Sequence, residues 1–445
     1  MADPLDPGLS LTTLAVEVVD RARRAGADHV FATVQRSTQT ELQRRDGATE
    51  RLLSSTSRSV SVQLWASGRY SHQTTTDLRP AQLDAFLADA LALTRALEPD
   101  PARQLADPSL HPASPQAIDL VDPALAAGLS VAEQEAWVEA IEARARESDR
   151  LISVTSGISV EANQRACASS DGFTGQTSAT QAWPSAEVTL RDEGDRRAAD
   201  GFGFGARYLT DLPEPTEIGQ RALAMTLARL GARKASTRKG TMVVDPQVSG
   251  SLISRLLGPA DARAFQQQRS FLLGKQGTAI TSSRLTITDD PFLSRGFGSR
   301  PFDGEGIGSQ VRPIVEAGVL RNIYVDTYYG RKAGLPVTTG SPSNRVVGLG
   351  ERDRDQWIKE VQSGILVTSW MGGNADLSTG DFSLGIRGHL IERGAVGAPV
   401  GEMVVTGNLL SLFAGLVGLG NDPWRCSTVV APTLVFEGVQ FAGAQ

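Results

Sequence analysis

Apolar side chains in the first hundred residues recur at spacings that predict two helices and a small sheet. Residues 11–22 follow a helical period, and strict alternation over residues 30–34 and 60–64 predicts strands. A second apolar helical pattern begins at Pro80, a residue favoured in the first turn of a helix. Residues 1–98 are therefore predicted to form an α/β layer.

The next part of the chain is predicted to be a linker followed by a middle unit. Residues 99–116 are rich in proline and short side chains, a composition typical of linkers. Ser130 and Glu133 form a capping box that begins a third helix. A strand-rich stretch and a further helix follow, so we predict a middle unit of one β-meander with helices over residues 117–231.

Residues 232–445 have the pattern of a strand-rich C-terminal domain. The chain has 45 glycines in 445 residues, above the usual ~7 %, which favours tight turns, bulges and antiparallel sheet. The predicted elements are, in order, a helix opening at Asp245-Pro246, strands over 283–325 interrupted by a glycine-rich loop, a helical turn at 326–334, alternating strands at 378–404, a buried helix at 406–417 and a final strand at 427–439.

Composition excludes several classes of protein. The 44 Lys and Arg against 50 Asp and Glu leave a net charge of −6, which argues against a nucleic-acid binder. No apolar run reaches the ~18–20 residues that span a bilayer, so we expect no membrane partner. The first ten residues lack the pattern of a signal peptide, and two cysteines cannot form a disulfide framework. We therefore expect a cytoplasmic protein.

The chain has four scattered histidines, and the sequence contains no HExxH, GxSxG, P-loop or CxxC string. The loop Asp303-Gly304-Glu305 offers two carboxylates that could hold a metal or act as an acid/base pair, but such turns are common on surfaces and we expect a solvated turn. Tyr328 and Arg331 could hold a carboxylate or phosphate, or simply end a helix.

Cys426 is the candidate nucleophile, because the neighbouring Arg425 could lower the thiol pKa and His389 could serve as base. A buried, inert cysteine is the more common case, and His389 alternates with apolar residues as in a strand. The glycines around Gly372-Gly373-Asn374 could let an extended peptide approach by strand addition, or could simply let a sheet curve.

Several ordered motifs together resemble the TldD/PmbA family. They include DDPFLSRGFGSRPFDGEGIG, STGDFSLGIRGHLIERG, EMVVTGNLL and the closing RCSTVVAPTLVF. The resemblance covers essentially the whole chain. It implies an α+β fold, with an α/β N-terminal part followed by a C-terminal antiparallel β-sheet domain.

The family has two branches, and the chain resembles the one without a zinc motif. The TldD branch carries an H-E-x-x-x-H zinc helix, whose positions here fall on Ser254, Arg255 and Pro259, while Cys426 lies near the family's cysteine ligand. Serine is a poor zinc ligand, arginine cannot act as a base at neutral pH, and the proline side chain has no ligand atom. The chain therefore resembles the PmbA (TldE) branch, and we expect no cofactor in it.

The resemblance implies a metal-free subunit of a cytoplasmic heterodimeric metalloprotease that acts on unfolded peptides or leader peptides. Zinc is then expected in a TldD-type partner, and peptide or partner contacts are expected at Asp303, Glu305, Tyr328, Arg331, Gly372, Gly373, Asn374 and His389. Two alternatives stay open, a peptide-binding or scaffold homodimer without activity, and a stand-alone hydrolase that uses Cys426 or the Asp303/Glu305 pair.

Overall fold

The structure, a computed structural model, describes residues 10–443. It contains three sheets with helices packed against them. The helices are α1 (Leu11–Arg24), α2 (Pro80–Ala96), α3 (Pro123–Ala127), α4 (Val131–Ala145), α5 (Pro215–Leu227), α6 (Pro246–Leu257), α7 (Ala262–Gln266), α8 (Thr327–Ala333), α9 (Arg354–Val361) and α10 (Leu409–Ala414). The strands are β1 (His29–Arg45), β2 (Ala48–Ala66), β3 (Arg69–Thr75), β4 (Leu151–Ser169), β5 (Thr174–Arg191), β6 (Arg197–Gly203), β7 (Arg238–Val244), β8 (Ile287–Asp290), β9 (Arg312–Glu316), β10 (Val319–Leu320), β11 (Asn344–Val347), β12 (Ser363–Ala375), β13 (Asp381–Glu392), β14 (Ala395–Asn408), β15 (Leu416–Leu419), β16 (Val429–Val430) and β17 (Leu434–Ala442).

The N-terminal half forms one antiparallel sheet of six strands in the order β3-β2-β1-β4-β5-β6. Strand β1 pairs with β2 along one side and with β4 along the other. The units predicted for residues 1–98 and 117–231 therefore share a single sheet, a connection that local sequence patterns do not contain. Helices α1 and α2 bury their apolar faces on one half of the sheet, and α4 and α5 on the other half.

The helices of this half begin where the sequence predicts. The Ser10 hydroxyl accepts a hydrogen bond from the Thr13 N–H at 3.4 Å and caps α1. The capping box of α4 is complete, because the side chain of Ser130 and that of Glu133 each bind the other residue's backbone N–H. Pro80 occupies the first turn of α2, as expected.

The C-terminal half contains two sheets that enclose the largest apolar core of the described chain. One has the strand order β14-β13-β12-β7-β17-β15, and the other the order β10-β9-β8-β11-β16. Most pairs are antiparallel, which confirms the predicted α+β class with a largely antiparallel C-terminal domain. The pairs β7–β12 and β11–β16 are parallel and were not predicted.

The sequence patterns miss several elements of this half, including α7, β11 and β12, and the strand predicted at 427–439 is divided into β16 and β17. Two further differences have a local cause. Helix α9 was not predicted because only Ile358 is buried, so the apolar period that reveals other helices is missing, although Asp353 and Gln356 form its capping box. The buried helix predicted at 406–417 is shorter, since β14 continues to Asn408, which caps the six-residue α10. Across residues 10–443, none of the helices is long and apolar enough to cross a membrane.

Candidate functional site

Asp303 of the acidic glycine loop is buried and Glu305 is half-buried, so the expectation of a solvated turn is wrong. Asp303 is 2 % exposed, and its carboxylate accepts hydrogen bonds from the backbone N–H groups of Glu305 at 2.9 Å and Ile307 at 3.1 Å. The second oxygen accepts the Gly340 N–H at 3.1 Å. With three backbone donors the Asp303 carboxylate is well satisfied, and it holds the loop closed.

Glu305 faces the first turn of α8. One of its carboxylate oxygens accepts the Thr327 backbone N–H at 2.9 Å and the Thr327 hydroxyl at 3.0 Å. Burial raises the Glu305 pKa to about 7; the hydrogen bonds from Thr327 oppose that rise, and the Asp303 and Asp326 carboxylates add to it. A carboxyl group with such a pKa can exchange its proton near neutral pH, as a general acid or base must.

The predicted linker packs against this loop over residues 99–111, which we call the strap. The His111 ring bonds the Gly306 carbonyl oxygen through Nδ1 at 2.9 Å, and the Tyr328 hydroxyl donates to Asp100 at 2.9 Å. The Arg103 guanidinium lies 3.5 Å from the centre of the Tyr328 ring. Asp303, Glu305 and Tyr328 are therefore brought together under the strap, as parts of one acidic cluster with a cationic cover.

Arg331 is exposed and does not join this cluster. Hydrogen bonds from Ser109 are the main cause of the lowered pKa of Asp107 in the strap, and the charge of Arg331 contributes less. Behind the loop, Phe302 packs edge-on against Phe173 with ring centres 5.3 Å apart. This contact fixes the loop on the N-terminal sheet, and sequence patterns could not reveal it because the two rings are 129 residues apart.

The glycines of the proposed peptide groove lie elsewhere, on β12. Gly372 and Gly373 have φ values of +84° and +100° and form an irregularity in the pairing of β12 with β13. Gly373 pairs with Leu384 near the start of β13, and Asn374 pairs with Ser383. These exposed residues lie on the part of β12 beyond its pairing with β7, which we call the glycine edge: Gly372, Gly373 and Asn374. They are not part of the acidic cluster.

His389 lies near the other end of β13. It pairs with Leu366 on β12 and with Pro399 on β14, as the alternation in the sequence indicates. Burial lowers the pKa of the His389 ring, and its Nδ1 has no hydrogen-bond partner in the described chain. A half-buried, uncharged strand histidine fits the structural interpretation better than the role of a catalytic base.

A cavity of about 660 Å³ lies beside the glycine edge, where the C-terminal sheet meets β6. Its cationic lining was missed because the residues are scattered along the sequence. Asp192 and Glu402 are the acidic residues among its lining side chains, and Arg196 pairs with Asp192 at 3.3 Å. The cationic side chains that line it are Arg196, Arg197, Arg229, Arg233, Lys234 and Arg387.

The residues that the resemblance assigns to the TldD zinc helix do not fit a zinc ion. Ser254 lies on α6, and its hydroxyl oxygen is 3.3 Å from Nη2 of Arg345, so a guanidinium stands beside it. Arg255 points its Nη1 to the Ser251 carbonyl oxygen at 3.0 Å. Helix α6 ends at Leu257, before Pro259. No group of three His, Cys, Asp or Glu residues within 10–443 is arranged to hold a metal.

Cys426 is buried, and burial raises the pKa of its thiol to about 11. Arg425 therefore does not lower that pKa, and the thiolate needed for nucleophilic attack is scarce at neutral pH. The interpretation of Cys426 as an inert buried cysteine is the one that the structure supports. Cys167 is also buried, and its thiol pKa is raised by the same cause.

The fold is of the α+β class, and two family models together match most of its length. The family model of the PmbA/TldA metallopeptidase central domain matches residues 125–230, and that of the C-terminal domain matches residues 237–443. The chain belongs to the TldD/PmbA family.

Individual relatives match this chain over nearly its full length. The chain is 28 % identical to metalloprotease PmbA of Escherichia coli O157:H7, over 94 % of this chain and 93 % of the relative. A crystal structure from Bacteroides thetaiotaomicron VPI-5482, of a candidate modulator of DNA gyrase, is 38 % identical with a TM-score of 0.94, and the match covers 97 % of this chain and 98 % of that one.

The structure of TldE from Thermococcus kodakarensis has a similar fold. Its TM-score is 0.85 at 19 % identity, and the match covers 96 % of this chain and 99 % of that chain. At this identity the similarity establishes the fold alone.

Proposed function

We propose that this chain is a metal-free, TldE-like subunit of a cytoplasmic heterodimeric metalloprotease. A TldD-type partner supplies the zinc, and the complex acts on unfolded peptides or leader peptides. This chain helps to enclose the space in which the peptide is cleaved, and it helps to bind the peptide.

The observation that carries the proposal is that the side chains of helix α6 do not fit a zinc ion. Amide hydrolysis by a zinc peptidase needs the ion to lower the pKa of a bound water. The resemblance assigns the first ligand to Ser254 and the base to Arg255. Ser254 lies beside the Arg345 guanidinium, and Arg255 donates to the Ser251 carbonyl oxygen. A partner with an intact zinc helix would supply the missing chemistry.

Two surfaces support a role in holding a peptide. Beyond Val367, β12 pairs with β13 but no longer with β7, so the stretch around Gly372 and Gly373 has one side without a strand partner in the described chain, which suits strand addition. The neighbouring cavity, lined by Arg197, Lys234 and Arg387 among others, gives that edge a positive field.

A stand-alone hydrolase is a second candidate because of one observation, the Glu305 carboxyl with its pKa of about 7. In that case Glu305 would act as general base near Asp303. The buried position of Asp303 and the strap over the loop leave little room for a peptide there, so we favour the subunit. A scaffold homodimer would use the same peptide surfaces without cleavage.

The test is a peptidase assay on an unfolded peptide with four samples: this chain, a TldD-type subunit, the mixture, and the mixture with a chelator. The subunit proposal expects chelator-sensitive cleavage by the mixture only. Cleavage by this chain alone that is lost in Glu305→Gln would establish the hydrolase instead. Binding of the peptide without cleavage in any sample would establish the scaffold.

A further inference from the structure

Arg207 is a buried cation without a counter-charge. It is 8 % exposed. Its Nη1 donates to the Thr180 carbonyl oxygen at 3.2 Å and its Nη2 to the Phe297 carbonyl oxygen at 2.8 Å. Its Nε has no hydrogen-bond partner within residues 10–443, and its guanidinium forms no ion pair there.

This arrangement is unusual because buried charges in proteins are normally paired. Burial lowers the Arg207 pKa to about 10, and the charge of Glu161 opposes that change only weakly. The Glu161 carboxylate is itself engaged by Gln181 at 2.7 Å. Arg207 is therefore still charged at neutral pH, in surroundings of carbonyl groups and the Phe297 ring.

Arg207 lines a cavity of about 400 Å³ between the end of the N-terminal sheet and the C-terminal domain. A volume of this size is in the range of small-molecule sites and admits one or two amino-acid residues. The walls are mainly apolar, and Leu349 at the rim is 55 % exposed. The apolar wall residues include Phe204, Leu293, Phe297, Val346, Leu349 and Val430.

The other charges of the cavity leave a net positive site. Arg295 also lines it, but its guanidinium pairs with Asp211 at 2.8 Å and with Asp119 at 3.0 Å. Asp211, the acidic residue among the lining side chains, is therefore already paired. Arg425 is exposed at the cavity and forms no ion pair within the described residues. Two cations, one buried and one exposed, thus line an apolar cavity without forming an ion pair in the described chain.

We propose that this cavity binds the C-terminal residue of a peptide, with Arg207 and Arg425 holding the terminal carboxylate and the apolar walls holding its side chain. The proposal rests on the proposed function, since it says which end of the peptide substrate this subunit would bind. Arginine binds carboxylates in a planar two-bond geometry, which makes it suited to this group. An anion with an apolar body satisfies both the charge and the walls, which inorganic phosphate does not.

The experiment uses this chain alone, without a partner, so that it is independent of the cleavage assay. Binding of N-acetyl-alanyl-leucine is measured by calorimetry against the same dipeptide with an amide at its C-terminus and against inorganic phosphate. We expect the acid to bind at least about tenfold more tightly than the amide, because the arginine–carboxylate bonds are lost. Phosphate is expected not to compete at equal concentration.

Two variants and one control locate the site. Arg425→Gln, at an exposed position, is expected to weaken binding of the acid about three- to tenfold without affecting the amide. Arg207→Lys keeps the charge but removes the planar guanidinium, and it is expected to weaken binding of the acid further. Arg24→Gln changes an exposed arginine of α1 outside the cavity and is expected to leave binding unchanged.

Equal binding of acid and amide, or an unchanged affinity in Arg425→Gln, would overturn the proposal even if Arg207→Lys fails to fold. Competition by phosphate would assign the cavity to small inorganic anions instead. A negative result here together with partner-dependent cleavage would reject the carboxylate site alone and leave the subunit role standing.

Discussion

Arg345 Nη2 donates a hydrogen bond to Ser254 Oγ across 3.3 Å. The contact joins β11 to α6, at the position that the family resemblance assigns to the first zinc-binding histidine of the TldD branch. Burial lowers the Arg345 pKa, while the phenol of Tyr324 and the carboxylate of Asp289 oppose that change. A guanidinium that stays charged beside Ser254 would repel a divalent cation, so the site is filled by a charge of the wrong sign.

We predict from this contact that the chain binds no zinc with stoichiometric occupancy. Protein purified without chelator and dialysed against zinc should contain well under one ion per chain by atomic emission. Cys426→Ser should leave the value unchanged, because a single thiolate does not hold a catalytic zinc. One full equivalent of zinc that disappears in Cys426→Ser or His389→Ala would contradict the prediction.

Local sequence patterns predict the elements that a few neighbouring residues determine. Helix α1 follows its apolar period and Ser10 cap, and α8 ends at Gly334 with φ of +65°, as its glycine indicates. These parts could be predicted because a few neighbouring residues determine them.

The surroundings of Glu305 could not be predicted in this way. A glycine-rich acidic turn has the same composition whether it is solvated or covered, and the strap that covers it lies about 200 residues earlier in the sequence. The counter-charge missing at Arg207 is likewise a property of three-dimensional packing. The position of Arg345 beside Ser254 belongs to the same class, because its partner is 91 residues away.

The strap depends on Tyr328. Tyr328→Phe removes the hydroxyl that donates to Asp100 but keeps the ring under Arg103, so we expect the strap to open more easily by about 0.5–1 kcal/mol. Hydrogen exchange of residues 99–111 should accelerate by about two- to fivefold. Tyr329→Phe is the matched control, because the Tyr329 hydroxyl has no hydrogen-bond partner in the described chain. Equal acceleration in both variants would show that the Tyr328–Asp100 bond does not hold the strap.

Alanine substitutions at Gly372 and Gly373 distinguish the cost of backbone strain from the cost of a steric overlap. Both have positive φ, but a Cβ at Gly372 would meet nothing within 4 Å, whereas one at Gly373 would overlap the Ser383 carbonyl oxygen. We expect Gly372→Ala to lower the free energy of unfolding by about 1–2 kcal/mol, and Gly373→Ala by at least about 2 kcal/mol more. Urea denaturation measures both values. Equal losses would mean that β12 and β13 adjust to the added methyl group.

Glu305 should make stability fall with rising pH. Its pKa is about 7 in the folded chain against 4.5 for an ordinary glutamate. Between these values the folded chain keeps the proton and the unfolded chain has lost it, so stability decreases as pH rises through this window. The upper limit of the loss is about 3.5 kcal/mol, since the two values differ by about 2.5 pKa units and one unit corresponds to about 1.4 kcal/mol. Burial also raises the Asp326 pKa, so Asp326 contributes with the same sign.

The variant Glu305→Gln removes the titrating group while its amide oxygen can still accept the Thr327 N–H and hydroxyl bonds. The Asp303 carboxylate remains beside this position, as do Asp326 and Tyr70, whose pKa values burial raises, so a small residual pH dependence is expected. The thermal midpoint of the native chain should fall between pH 5 and 8, and that of Glu305→Gln should fall less and exceed the native value at pH 8. Glu98→Gln, at an exposed position, should follow the native curve. Parallel curves for the native chain and Glu305→Gln would show that Glu305 titrates like a solvated carboxylate, because only a difference between the folded and unfolded pKa can separate them.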